Sequence, residues 1–152
     1  MFRGASGISI DPKGRLAVPA RYREVLLDRC QGQLVATVDP FNPCLLLYPL
    51  PEWEGLESKL ITFSDFDPTE RAMKNILLGH ARELEMDNAG RVLLPPELRG
   101  HAHLDKKAML VGQLNKFQIW DEEQWQQHTA ATLDQWRSGT LPMSERLKSL
   151  SL

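Results

Sequence analysis

The chain has 152 residues, two cysteines and a formal net charge of −2, with 42% hydrophobic and 25% charged residues. Such a length suits about one compact domain, the composition is that of an ordinary globular protein, and the near-neutral charge argues against broad, unaided binding to polyanions. There is no apolar run near the roughly 18 residues that cross a bilayer, and the opening MFRGASGISID lacks the apolar core of a signal peptide, so a cytoplasmic protein with two free, partly buried thiols, Cys30 and Cys44, is expected.

In chain order, Ile8 and Ile10 alternate with polar residues, which predicts a half-buried strand. Asp11, Pro12 and Gly14 then occupy positions i, i+1 and i+3 of a tight turn. Leu16 and Val18 alternate again as far as Pro19. Because the residue before a proline is pushed to extended geometry and proline suits the first helical position, strand should give way to helix there, with Tyr22, Val25 and Leu26 on one face. Strands follow around QLVATVD and CLLLYP, the second running into a helix that carries Trp53. Asp67, Pro68 and Glu70 form an N-cap, N1 and N3 set for a helix ending near Gly79, with Met73, Ile76 and Leu77 turned inward.

Beyond that helix the order starts again. Leu84 and Met86 lead into Asp87 and Gly90; Val92 and Leu94 lead up to Pro95; and AMLVGQL precedes KFQIWDEEQW, an apolar strand entering a helix with Trp125. After about residue 133 the apolar pattern weakens, and QWRSGTLPMSERLKSLSL reads as a loose tail with one turn of helix.

The recurrence is also literal. DPKGRLAVPARYR at 11–23 and DNAGRVLLPPELR at 87–99 share five of thirteen positions, where typical residue usage would match roughly one. A repeated unit that cannot close its own core packs against its copy. The expected organisation is therefore a first module at 1–66, a connecting helix at 67–80, a second module at 81–133 and a tail at 134–152. The two modules interleave their hairpins into one β-barrel flanked by helices, mainly β with helices and α+β by content. Leu56, Leu60, Met73 and Leu77 are candidates for contacts between subunits, and Trp136, beyond the repeat, for a partner anchor.

Within the repeat, Gly14 and Gly90 are explained by backbone geometry, and Asp11 and Asp87 by hydrogen bonds within their own turns. Arg15 and Arg91 follow a tight turn directly, where folding does not require them. They either contact phosphate or a base, or pair with the neighbouring aspartate at a surface value of ~0–1 kcal/mol. Charge is uneven between the copies. Residues 1–30 hold six cations against three anions, whereas residues 79–107 hold five of each. The first copy is thus expected to dominate any contact with a polyanion.

The pattern D-x-x-G-R-(apolar)-x-(apolar)-P-x-x-(aromatic or apolar)-R, present twice in a chain of this size, resembles the MraZ family, built from two AbrB-like modules. The likeness extends to MFRG, CLLLYPLPEWE, ERAMKNILLGHA and LVGQLNKFQIWDEEQW. It implies a double-split, swapped-hairpin barrel and a regulator of the bacterial division and cell-wall gene cluster. Such a regulator binds double-stranded DNA at repeated promoter boxes as a ring of identical subunits, is nucleoid-associated, and represses its own promoter. The DNA-contacting element carries over to Asp11, Gly14 and Arg15, with Lys13 as a phosphate contact, and to Asp87, Gly90 and Arg91, where Ala89 replaces the lysine.

Nothing in the chain resembles a zinc spacing, a phosphate-binding glycine loop or a nucleophile elbow. His80, His101, His103 and His128 converge with no cysteine. A non-enzyme without metal, cofactor or small-molecule substrate is expected. The alternative is an AbrB-like antitoxin or another partner-binding module, against which the folded second copy counts.

Overall fold

The computed structural model describes residues 1–152. In chain order the elements are β1 (Ala5–Ser9), β2 (Arg15–Ala17), α1 (Ala20–Cys30), β3 (Gln33–Val38), β4 (Leu45–Pro49), α2 (Leu50–Leu60) and α3 (Pro68–Gly79). They are followed by β5 (Arg82–Glu85), β6 (Arg91–Leu93), α4 (Pro96–His101), β7 (Lys107–Gly112), β8 (Phe117–Asp121), α5 (Glu122–Arg137) and α6 (Glu145–Lys148). The architecture is α+β. Met1–Glu122 form one compact unit and Glu123–Leu152 a second. In the latter, α5 buries none of its side chains fully, and α6 starts at Ser144, whose hydroxyl accepts from the Leu147 N–H at 3.2 Å.

The strands assort across the repeat. A six-stranded antiparallel sheet runs in the order β1-β7-β8-β4-β3-β5, and β2 pairs only with β6 in a separate ribbon. Each half keeps one hairpin of its own, β3–β4 and β7–β8. Its first strand, however, pairs with the other half: β1 with β7, and β5 with β3. Equivalent positions meet at both central pairings. In the ribbon Leu16 faces Val92, and in the sheet Leu46 faces Gln118, flanked by the symmetry-related pairs Leu45 with Ile119 and Leu47 with Phe117. The two halves are therefore related by an approximate two-fold axis through these pairs. The turn-linked strands β1 and β2 retain only a single bridge between Ile10 and Leu16.

Burial accounts for this exchange. Three-residue strands make too few hydrogen bonds to stand alone, but Leu16, Val18, Val92 and Leu94 are 0–1% exposed. Removing each such side chain from water contributes about 1.5–3 kcal/mol. They sit in one core with Ile10, Leu26, Leu98, Phe117 and Ile119. The opening Phe2 closes that core, stacked on Phe117 at 4.2 Å and edge-on to Tyr22 at 5.5 Å. Tyr22 Oη donates to the Arg3 carbonyl at 2.6 Å.

A second core lies around Val35, Leu46, Tyr48, Trp53, Leu60 and Leu77, with Leu56 and Met73 packed on it. It corrects the expectation that Leu60 and Leu77 wait for a neighbouring subunit, while Leu56 and Met73 remain partly exposed on its edge. Leu60 and Leu77 are 2% and 7% exposed within this chain, because α2 and α3 fold back on β3 and β4. Thr37 Oγ1, fully buried, donates to the Leu77 carbonyl at 2.7 Å and pins α3 there. The expected cap is present: Asp67 Oδ1 accepts from the Thr69 and Glu70 N–H groups at 2.9 and 3.0 Å, with Pro68 in the first helical turn.

Two boundaries differ from expectation. Pro19 and Pro95 are N-caps with ψ of 139° and 145°, so each proline is the last extended residue and not the first helical one. The helix carrying Trp125 also runs on through Arg137, past the point where its apolar pattern fades, since polar residues with good helix propensity propagate a helix already begun. No helix is long and apolar enough to cross a membrane.

Candidate nucleic-acid interface

Each repeat copy builds the same turn. In the first, the Gly14 N–H donates to the Asp11 carbonyl and the Asp11 N–H to the Arg15 carbonyl, both at 2.9 Å. Gly14 has φ of +91°, a region that side chains disfavour and glycine does not. The second copy reproduces this with Gly90 to Asp87 and Asp87 to Arg91, again at 2.9 Å, and φ of +75° at Gly90.

The aspartates organise both loops. Asp11 Oδ1 accepts from the Lys13 and Arg15 N–H groups at 2.9 Å each, while Oδ2 accepts from Arg15 Nε at 2.7 Å. Asp87 Oδ1 accepts from the Ala89 and Arg91 N–H groups at 2.9 Å, and Oδ2 from Arg91 Nε at 3.1 Å. The Arg15 N–H, ahead of the opposing desolvation and of the guanidinium, holds the Asp11 carboxyl below the usual carboxylate range. The Arg91 N–H does the same for Asp87.

Both readings of the two arginines meet in this geometry. Each guanidinium pairs with its aspartate through Nε alone and makes no other hydrogen bond within the chain. A partly exposed pair of this kind is worth ~0–1 kcal/mol, so it orients the guanidinium at little cost. The two terminal nitrogens are left for a fork onto an anion or a base edge.

The ribbon decides where the forks stand. Leu16 and Val92 point inward, so Arg15, Ala17, Arg91 and Leu93 occupy its outer face. Arg15 faces Leu93, and Ala17 faces Arg91, placing the two arginines on one diagonal. Such neighbours lie roughly 7–8 Å apart. Lys13, at the exposed tip of the first turn, makes no ion pair; Ala89 holds that place in the second.

A further pair of residues was visible in the repeat without a role. Arg23, the last residue of the first motif, donates through Nε to the Val18 carbonyl at 2.7 Å and lies against Gly90 of the other half. Arg99 donates to the Leu94 carbonyl at 3.1 Å and lies against Gly14. Meanwhile the Val18 N–H donates to the Gly90 carbonyl at 2.8 Å, and the Leu94 N–H to the Gly14 carbonyl at 2.9 Å. Each glycine is buried under the opposite half's arginine, so each turn is braced by the other copy. The shared final arginine was the available signal, but its target lay in the other half.

Elsewhere, His80 and His101 meet edge-to-face at 4.8 Å, joining the ends of α3 and α4. No group of three or more histidine, cysteine or acidic side chains is arranged to hold a metal ion. Cys30 and Cys44 are buried free thiols. Burial, with Asp39 alongside, pushes the Cys44 thiol well above its usual range.

The fold and site define a duplicated α+β protein that carries one aspartate-braced arginine turn in each half, both arginines on one face. Comparison with known proteins agrees. The family model described as "MraZ protein, putative antitoxin-like" matches twice, at residues 1–76 and 77–137. The chain is similar along its whole length, and the whole length of each relative, to proteins named transcriptional regulator MraZ. Identity is 58% with that of Shewanella amazonensis, 57% with that of Erwinia tasmaniensis and 55% with that of Escherichia coli K12. The chain belongs to the MraZ family.

Proposed function

We propose that the protein is a sequence-specific DNA-binding transcriptional regulator that recognises repeated promoter boxes as a ring-like homo-oligomer and represses its own promoter, within the division and cell-wall gene cluster. The observation that carries this reading is the placement of Arg15 and Arg91 on one outward face, each held through Nε by its aspartate. Arginine forked onto guanine is the commonest specific base contact in a major groove, and a two-stranded ribbon is narrow enough to enter one.

A single such face contributes little. Several copies spaced to match repeated boxes raise effective concentration, which turns weak contacts into firm binding by a chain of net charge −2. In the same reading the six-stranded sheet and the ribbon close into one swapped-hairpin barrel. Residues 1–66 and 81–133 are its modules, 67–80 the connecting helix and 134–152 the tail.

Size-exclusion chromatography with light scattering, with and without promoter DNA, tests the proposal. An oligomer that shifts with promoter repeats and less with scrambled DNA is the expected result. A monomer indifferent to DNA would refute it and favour the antitoxin-like reading, in which a partner protein docks, with Trp136, 53% exposed, as anchor.

A further inference from the structure

We propose that the first turn's DNA-binding surface is composite: Lys106 and Lys107, from the second half, stand beside its Asp11 and Pro12 and join Lys13 in binding the phosphodiester backbone. The inference rests on the reading of the turns as a DNA site, and it names which residues grip the backbone there. Along the sequence these lysines belong to a stretch in which cations and anions cancel. The strand exchange moves them. Ser9 of β1 pairs with Lys107 of β7, and the Ile10 N–H donates to the Lys106 carbonyl at 2.9 Å, directly before Asp11. Asp11, Pro12, Arg99, Lys106 and Lys107 line one groove beside the turn.

Lys13, Lys106 and Lys107 are all exposed, and none forms an ion pair. Asp11 is already engaged by Arg15, which leaves Asp105 as the other acidic side chain in the groove with the unpaired Lys106 and Lys107. Unpaired lysines on the same turn region as a forked arginine suit a polyanion: ammonium groups act as point charges on phosphate while the guanidinium supplies directional contacts.

The approximate two-fold axis provides an internal comparison. At the second turn the Met86 N–H donates to Gly32, and Glu85 pairs with Gln33, so Gly32 and Gln33 hold the places of Lys106 and Lys107. Ala89 holds that of Lys13, and β5 brings Glu83 and Glu85 where β1 brings Gly7 and Ser9. The second turn thus lacks all three lysines and gains two carboxylates. The two turns share a backbone and differ in the ligand they can grip.

The test is a titration of promoter and scrambled duplexes at several salt concentrations, with the parent protein, Lys13→Gln and the double variant Lys106→Gln, Lys107→Gln. All three positions are exposed, so melting temperature and oligomer size should match the parent. Each phosphate contact contributes about 0.9 to the slope of log affinity against log salt. The double variant should therefore flatten that slope by roughly two units per engaged subunit, equally on both duplexes and with the promoter preference intact. If the parent binds DNA and the double variant keeps its slope, the composite surface is wrong while the functional reading stands. Loss of the promoter preference would assign the lysines to bases and also overturn the proposal. A parent that fails to bind either duplex removes both.

Discussion

Substituting Gly90 with alanine probes the brace between the halves. At φ of +75° an alanine lies in the left-handed region, at about 1–2 kcal/mol. Its Cβ would also overlap the Arg23 guanidinium and displace it from the Val18 carbonyl, which Nε holds at 2.7 Å. A hydrogen bond of this half-buried kind contributes on the order of 1 kcal/mol. Gly90→Ala should thus destabilise by about 2–3 kcal/mol, Arg23→Ala by about 1 kcal/mol, and the double variant by no more than Gly90→Ala alone. The coupling of about 1 kcal/mol appears because the same bond is lost in either background. Urea unfolding of the four proteins at one fixed concentration measures it. Strict additivity would refute the brace, showing that Gly90 and Arg23 act independently.

Other consequences follow from the same geometry. Arg15→Ala should cost about 1–3 kcal/mol of promoter preference at each engaged subunit, and Arg91→Ala less, with the oligomer intact in both; DNA titration with scrambled competitor measures the difference. Leu77→Ala should destabilise the chain by about 2–5 kcal/mol, because Leu77 is 7% exposed in the second core. Phe66→Ser, at a site 98% exposed, should stay within about 0.5 kcal/mol of the parent; denaturant melts separate the two. The carboxyls of Asp11, Asp67 and Asp87 are held low by N–H and hydroxyl donors, led by the Thr69 side chain at Asp67. Their contribution is present above the unfolded carboxylate value and is lost as pH falls through the lowered folded values. Asp67→Asn should reduce the acid-induced drop in stability, followed by melting temperature between neutral and strongly acidic pH.

Much of this molecule follows from local rules. Asp11, Gly14 and Arg15 make their turn from hydrogen bonds spanning five residues, so the same letters at Asp87, Gly90 and Arg91 make the same turn. The Asp67 cap needs only the next three residues, and period-two alternation marks Leu16 and Val92 as inward. The chemistry of both arginine turns, their number and the helix between the halves were therefore determined by the sequence alone. Pairing partners were not, because β1 can satisfy its hydrogen bonds with any strand of matching period, and only burial of the common core selects β7 over β2. Everything that depends on that selection was decided by the tertiary structure. Arg23 and Arg99 brace the opposite copy, and Leu60 and Leu77 are enclosed within the chain. Two lysines of a charge-balanced stretch end beside the first turn and none beside the second, because side-chain charge acts through space and the exchanged strands set which charges are near.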